Sequence, residues 1–166
     1  MAISTTLGYD DLPALPTLLT GDEKHDGSSH STLDVLWVLY DRVLRIDPSR
    51  PDDPDRDRFL LSKGHGPTAY YAVLAAKGFI PVESLAGFGS FDSALGYHPD
   101  HVLALGVEIS SGSLGHGLPI AVGSALALDA RRLYGPASTA SSATPSSRRG
   151  ATGRPCSSQA ASGSAG

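Results

Sequence analysis

The chain has 166 residues, a formal net charge of −4, 40% apolar residues and a single cysteine, Cys156. That length holds one domain of ordinary size, and the acidic balance argues against a nucleic-acid-binding surface. One cysteine excludes an internal disulfide and fits a reducing, cytoplasmic compartment.

In chain order, residues 1–23 read as an irregular leader. Met1 to Thr20 has neither the basic start nor the apolar stretch of a secretory signal. Ser31-Thr32-Leu33-Asp34 has the form of a capping box, with Ser31 as N-cap. Leu33, Leu36, Trp37, Tyr40, Val43 and Leu44 follow at helical spacing, so a helix is expected from Ser31 to about Ile46, before Pro48. Asp47 to Asp57, rich in proline and charge, reads as a surface loop. Arg58-Phe59-Leu60-Leu61 is a short apolar run, expected as a buried strand. Pro67 opens a second helix through Ala76, stopped by Gly78. Val82 to Phe88 reads as a short third helix, and Gly106-Val107-Glu108-Ile109-Ser110 as a second strand. Leu118 to Leu133 is a helix rich in small residues. Strand, glycine-rich loop, helix is the order of an α/β fold with a parallel sheet. Ligands of such folds bind where loops leave the carboxyl ends of strands. No apolar run approaches the roughly 20 residues of a membrane helix, so no membrane association is expected.

Composition breaks at Gly135. From there to Gly166 there is no Leu, Ile, Val, Phe, Tyr, Trp, Asp, Glu or Lys. Such a segment cannot bury enough apolar surface to offset its ordering entropy. Residues 135–166 are therefore expected to be a disordered tail, leaving residues 24–134 as a partial domain.

Three histidines stand in glycine-flanked loops: Ser62-Lys63-Gly64-His65-Gly66-Pro67, Gly96-Tyr97-His98-Pro99-Asp100 and Gly112-Ser113-Leu114-Gly115-His116-Gly117. Glycine lets a backbone approach a ligand closely, and histidine gives or takes a proton near neutral pH. The combination reads as a loop-built site for a phosphate-bearing ligand. Competing readings are plainer. His98 and His101 have the spacing of a metal pair, but Pro99 breaks helical geometry and one pair is too few for a closed site. His65 could be a helix-start residue satisfied by backbone, although Gly64 and Gly66 favour a ligand contact. His25 stands evenly between a channel residue and a solvated loop. His30 reads as a surface or helix-entry residue, and Trp37 and Tyr40 as core.

The run Asp57-Arg58-Phe59-Leu60-Leu61-Ser62-Lys63-Gly64-His65-Gly66, the run Gly96 to Asp100, and Gly106 to Gly117 together resemble the transketolase family. The likeness is to its N-terminal, diphosphate-binding domain, especially the form found as a separate subunit, and extends from about Lys24 to Tyr134. It implies an incomplete α/β thiamine-diphosphate-binding domain, a parallel sheet flanked by helices. It also implies an activity: transfer of a two-carbon ketol unit between sugar phosphates. The implied cofactors are thiamine diphosphate and a divalent metal, Mg2+ or Ca2+. On this resemblance His65 lies near the cofactor diphosphate. His98 contacts the substrate's ketol oxygens. His25, in a looser match because Lys24 replaces a glycine, stands at the substrate channel. Gly112 and Leu114, with Ser113 and Gly115 in the same loop, hold the aminopyrimidine ring, and His116 stands beside them. The resemblance further implies assembly into a homo- or hetero-oligomer, with a C-terminal transketolase subunit as partner. Deoxyxylulose phosphate synthase, of the same cofactor class, fits Gly96 to Asp100 less well.

The family's metal motif, Gly-Asp-x-Glu after a strand, should follow Tyr134 and is not present in the sequence. A different frame supplies it. Joining the third base of each codon to the first two of the next, Ser142 to Ser146 permits Gly-Asp-Ala-Glu. Continuing to Pro155 permits Leu-Glu-Glu-Gly-Ser-Asn-Trp-Glu-Ala. The expectation is a reading frame that shifts near Gly135. The chain would then lack its metal ligands and its second domain, and be inactive alone. The alternative is a non-catalytic remnant, or a binding partner of a separate C-terminal subunit.

Overall fold

The computed structural model of the chain describes residues 7–19, 26–131 and 138–141. Two 3-10 turns, Tyr9–Ala14 and Pro16–Leu18, precede helix α1, Asp26–Val38, which widens into a π-turn over Leu39–Val43. Strand β1 is Arg58–Leu61, helix α2 Thr68–Ala76, helix α3 Gly117–Ala130 and strand β2 Ser138–Ser141, with a 3-10 turn at Val82–Gly87.

Helix α2 is the centre. Its sequence, Thr-Ala-Tyr-Tyr-Ala-Val-Leu-Ala-Ala, is apolar on every side, and every residue of it is buried. A helix without a polar face is stable only when covered all round. It ends in a Schellman motif: Phe79 N–H donates to Leu74 O at 2.9 Å and Gly78 N–H to Ala75 O at 3.0 Å. Gly78 takes the left-handed conformation this requires, with φ 79°. Against α2 lies the stripe Leu33, Leu36, Trp37, Tyr40 and Leu44, as its helical spacing predicts. Tyr40, Phe59, Tyr70 and Phe79 interlock with ring centroids 5.5–6.2 Å apart, mostly edge to face. Their buried hydroxyls form a chain: Tyr40 donates to Tyr70 at 3.2 Å, and Tyr70 to the Gly106 carbonyl at 3.0 Å.

β1 and β2 pair in parallel, with Arg58 opposite Ser138 and Leu61 opposite Ser141. α3 packs on both strands, while Phe59 and Leu61 join the core with α1 and α2. This is the expected α/β arrangement.

Five expectations need correction. The leader is not irregular throughout: its 3-10 turns bury Leu12, Leu15 and Leu19 in the core, because short turns bring the widely spaced leucines onto one side. α1 starts at Asp26, so Ser31 lies inside the helix and is not its N-cap. Val82–Gly87 is a 3-10 turn rather than an α-helix. Gly106 to Ser110 is not a strand. Gly106 is left-handed (φ 87°), its carbonyl is taken by Tyr70, and Glu108 is drawn into an ion pair with Arg56. Finally, Ser138–Ser141 pairs with β1 as strand β2, where no regular element is expected. Parallel pairing uses backbone groups, so a segment without large apolar side chains can still extend β1.

Candidate functional site

Three loops meet beyond the carboxyl end of β1. The first, Ser62–Pro67, links β1 to α2. The second runs from Gly96 to His101. The third, Ile109–His116, enters α3. The first and third touch backbone to backbone. Gly117 N–H donates to Ser62 Oγ at 3.1 Å, and a Cβ on Gly117 would collide with Ser62. A Cβ on Gly64 would collide with the carbonyl of Ser111. Glycine is therefore required at both positions by close approach.

The second loop is tied from both sides. Tyr71 of α2 donates to the Gly96 carbonyl at 3.0 Å, and Tyr97 stacks edge-on against Phe88, 5.3 Å between centroids. Ser111 N–H donates to the Pro99 carbonyl at 3.2 Å. His101 N–H donates to Ser110 Oγ at 3.1 Å, and His101 Nδ1 lies 2.9 Å from the same oxygen. Asp100 accepts from Val102 N–H at 2.8 Å. That bond above all, then the Ser110 hydroxyl, Leu103 N–H and the charge of His101, hold its carboxyl below the usual range.

Between the loops is a cleft of about 590 Å³ whose lining includes Ser62, His98, Ser111, Gly112, Ser113 and His116. α3 begins at this cleft, so its positive dipole end adjoins the space. His98 is exposed there, its ring lying alongside Gly112: a Cβ on that glycine would sit 3.7 Å from His98 Cδ2. The Ser111 hydroxyl oxygen is buried with no hydrogen-bond partner among the described residues. A buried polar atom left so calls for a ligand or water partner.

Of the residues singled out in the sequence, His98, Gly112, Ser113 and His116 share this cleft. Leu114 and Gly115 belong to the same loop, but outside the lining. His65 is half-buried and also outside it, although its neighbour Gly64 packs on Ser111. His25 lies outside the described residues. Sequence reasoning missed Ser62, Ser110 and Ser111, whose only signal is adjacency to the glycine runs.

For a diphosphate-bearing cofactor the fit is good: backbone at glycines without room for a Cβ, hydroxyls, two histidines and a helix start. No group of three His, Cys, Asp or Glu side chains that could hold a metal by themselves converges among the described residues. A second, smaller cavity of about 250 Å³ lies by Tyr40, Phe59, Phe79 and the Arg56–Glu108 pair and reaches the second loop at His101. No helix among the described residues is long and apolar enough to cross a membrane.

Residues 14–138 match the family model described as transketolase, thiamine diphosphate binding domain. Ferredoxin fas2 of Rhodococcoides fascians is 58% identical over 132 residues, covering 80% of this chain and 43% of that protein. The 6-deoxy-6-sulfo-D-fructose transketolase subunit SqwG of a Clostridium species is 46% identical, over 63% of this chain and 38% of its own length. One subunit of the apulose-4-phosphate transketolase of Actinobacillus succinogenes is 46% identical, over 62% of this chain and 37% of its own length. Among solved structures, transketolase from Leishmania mexicana superposes with a TM-score of 0.64 at 27% identity, covering 81% of this chain and 22% of that one. The chain thus spans less than half the length of these relatives.

Proposed function

The chain belongs to the transketolase family's thiamine-diphosphate-binding domains, and from that premise we propose that its three-loop cleft holds thiamine diphosphate for ketol transfer between sugar phosphates. The observation that carries this reading is the joint lining of one cleft by His98, Ser111, Gly112, Ser113 and His116 at the start of α3. Bound thiamine diphosphate supplies the nucleophilic carbon and the electron sink. The chain's own groups bind, orient and move protons.

His98, exposed in the cleft, meets the ketol oxygens of the substrate and exchanges protons with them. His65, half-buried on the first loop, lies on the diphosphate side. Gly112, Ser113, Leu114 and Gly115 offer backbone to the aminopyrimidine ring, and His116 flanks it. The role at the substrate channel assigned to His25 rests on the family likeness alone. The metal's ligands are not among the described residues, so no step is assigned to it. The relatives named as subunits support a division of labour in which a separate C-terminal subunit completes the site. The relative named a ferredoxin lends no electron-transfer reading to these residues, because an iron–sulfur cluster takes several cysteine thiolates and this sequence has Cys156 alone. A second reading, a non-catalytic partner of such a C-terminal subunit, is favoured by the absence of a Gly-Asp-x-Glu run after Tyr134 in the sequence.

Titration of the full chain with thiamine diphosphate, with turnover assayed with and without a C-terminal transketolase subunit, tests the proposal. The expected result is saturable binding without turnover by the chain alone. His65→Ala should weaken binding. His98→Ala should leave binding in place and lower turnover in the reconstituted enzyme. Equal effects of both changes on affinity would contradict the roles. Turnover by the chain alone, abolished by His98→Ala, would overturn the division of labour.

A further inference from the structure

Ser110 stands at the one point where the second and third loops exchange side-chain bonds among the described residues. Its oxygen receives His101 N–H at 3.1 Å and lies 2.9 Å from His101 Nδ1. The Asp100 carboxylate next to it is fixed by Val102 N–H at 2.8 Å. One residue on, Ser111 N–H closes onto the Pro99 carbonyl at 3.2 Å. Two successive residues of the third loop therefore grip the segment directly after His98. Pro99, fully buried, removes a backbone donor and much of the freedom between His98 and the grip.

Resting on the reading of the cleft given above, we propose that Ser110 is a positioning residue for His98. Through His101 it fixes the distance between the His98 ring and the Ser111–Gly112 backbone, so that both face one ligand in constant relation. Without the Ser110 grip, the loop keeps the Pro99–Ser111 bond on this side and, on the opposite side, the Gly96 anchor and the Tyr97–Phe88 contact. The charged and titratable groups at the grip are Asp100 and His101 from the second loop. The third loop contributes the Ser110 hydroxyl, and His116 stands across the cleft.

The test needs no ligand at its first step. Amide hydrogen exchange on the full chain should quicken at His101 and Ser111 by roughly tenfold in Ser110→Ala, the effect of losing one hydrogen bond of ordinary net strength. Amides of Tyr71 to Ala76 in α2 should be unchanged, which a general loss of stability would not leave. Ser110→Thr, keeping the hydroxyl, should restore slow exchange. Faster exchange confined to His101, with Ser111 unaffected, would overturn the coupled grip. At the second step, fructose 6-phosphate is titrated against the thiamine-diphosphate-loaded enzyme reconstituted with a C-terminal subunit. Ser110→Ala should weaken its binding several-fold in the His98 background and have no further effect in His98→Ala. Additive losses would overturn positioning through His98. Absence of any fructose 6-phosphate binding alongside the predicted exchange pattern would instead count against the substrate reading, not against the grip.

Discussion

At the scale of single residues, the buried tyrosine chain carries the clearest energetic consequence. Tyr70 both receives the Tyr40 hydroxyl and satisfies the Gly106 carbonyl. Tyr70→Phe leaves one buried donor and one buried acceptor unmatched, and should cost about 1–3 kcal/mol. Tyr40→Phe removes only the outermost donor and should cost less. The same burial pushes the hydroxyls of Tyr40, Tyr70 and Tyr71 above their ordinary value of 10.0. In each, the unfolded chain loses its proton first as pH rises. The folded state is then the one with more bound protons, so stability is fully present below pH 10 and declines above it. Chemical denaturation at pH 8 and pH 11 should show this decline, and Tyr70→Phe should reduce it; an alkaline loss unchanged in Tyr70→Phe would refute the assignment. The residues of the cleft are legible in the sequence to the extent that glycine announces them. Gly64 and Gly117 are glycine because backbone and Ser62 press on them, and the histidines beside them stand out for that reason. Ser110 and Ser111 act through one hydroxyl or one N–H each, placed by the fold, and a serine next to a glycine carries no sign of that.

At the scale of elements, legibility follows side-chain burial. α2 is readable because its buried positions after Thr68 form an unbroken apolar run, and the stripe of α1 because its buried positions are apolar at helical spacing. The leader is not, since Leu12, Leu15 and Leu19 reach the core through 3-10 turns rather than a helical or alternating period. The segment Gly106 to Ser110 has strand-like residues but meets Tyr70 and Arg56 instead of a neighbouring strand. β2 is the opposite case: its Ser-Thr-Ala-Ser sequence has no apolar pattern, and backbone pairing with β1 defines it. It ends at Ser141, directly before the codons whose shifted reading permits Gly-Asp-Ala-Glu, the motif expected after a strand. That reading makes a sharp demand on the gene. The third bases of Ser142, Ala143, Thr144 and Pro145 must all be G, and the Ser146 codon must begin with AG. Sequencing these codons checks it, and any other base at one of those positions removes the four-residue run.

At the scale of the whole molecule, α3 is a helix that the rest of the described structure covers on one side only. Gly117, Ala121 and Leu128 are buried toward the strands, whereas Leu118, Val122 and Leu126 are exposed, Leu126 by 65%. Its outer side carries one charge, Asp129, among alanines, a glycine and these large apolar residues. Helices apolar on all sides are found covered, and a contiguous exposed apolar surface favours association. The last stretch of chain, residues 142–166, contains no large aliphatic or aromatic side chain that could cover it. The purified chain should therefore self-associate as its concentration rises. Leu118→Gln, Val122→Gln and Leu126→Gln combined should shift it toward monomer, because glutamine keeps helix propensity while removing the apolar surface. Since none of the three is buried, each should change folding stability by no more than about 0.5 kcal/mol. Sedimentation velocity over a concentration series, with thermal unfolding of the same samples, separates the two effects. A wild-type chain that stays monomeric at every concentration, or a triple variant that loses its fold, would refute this account of α3.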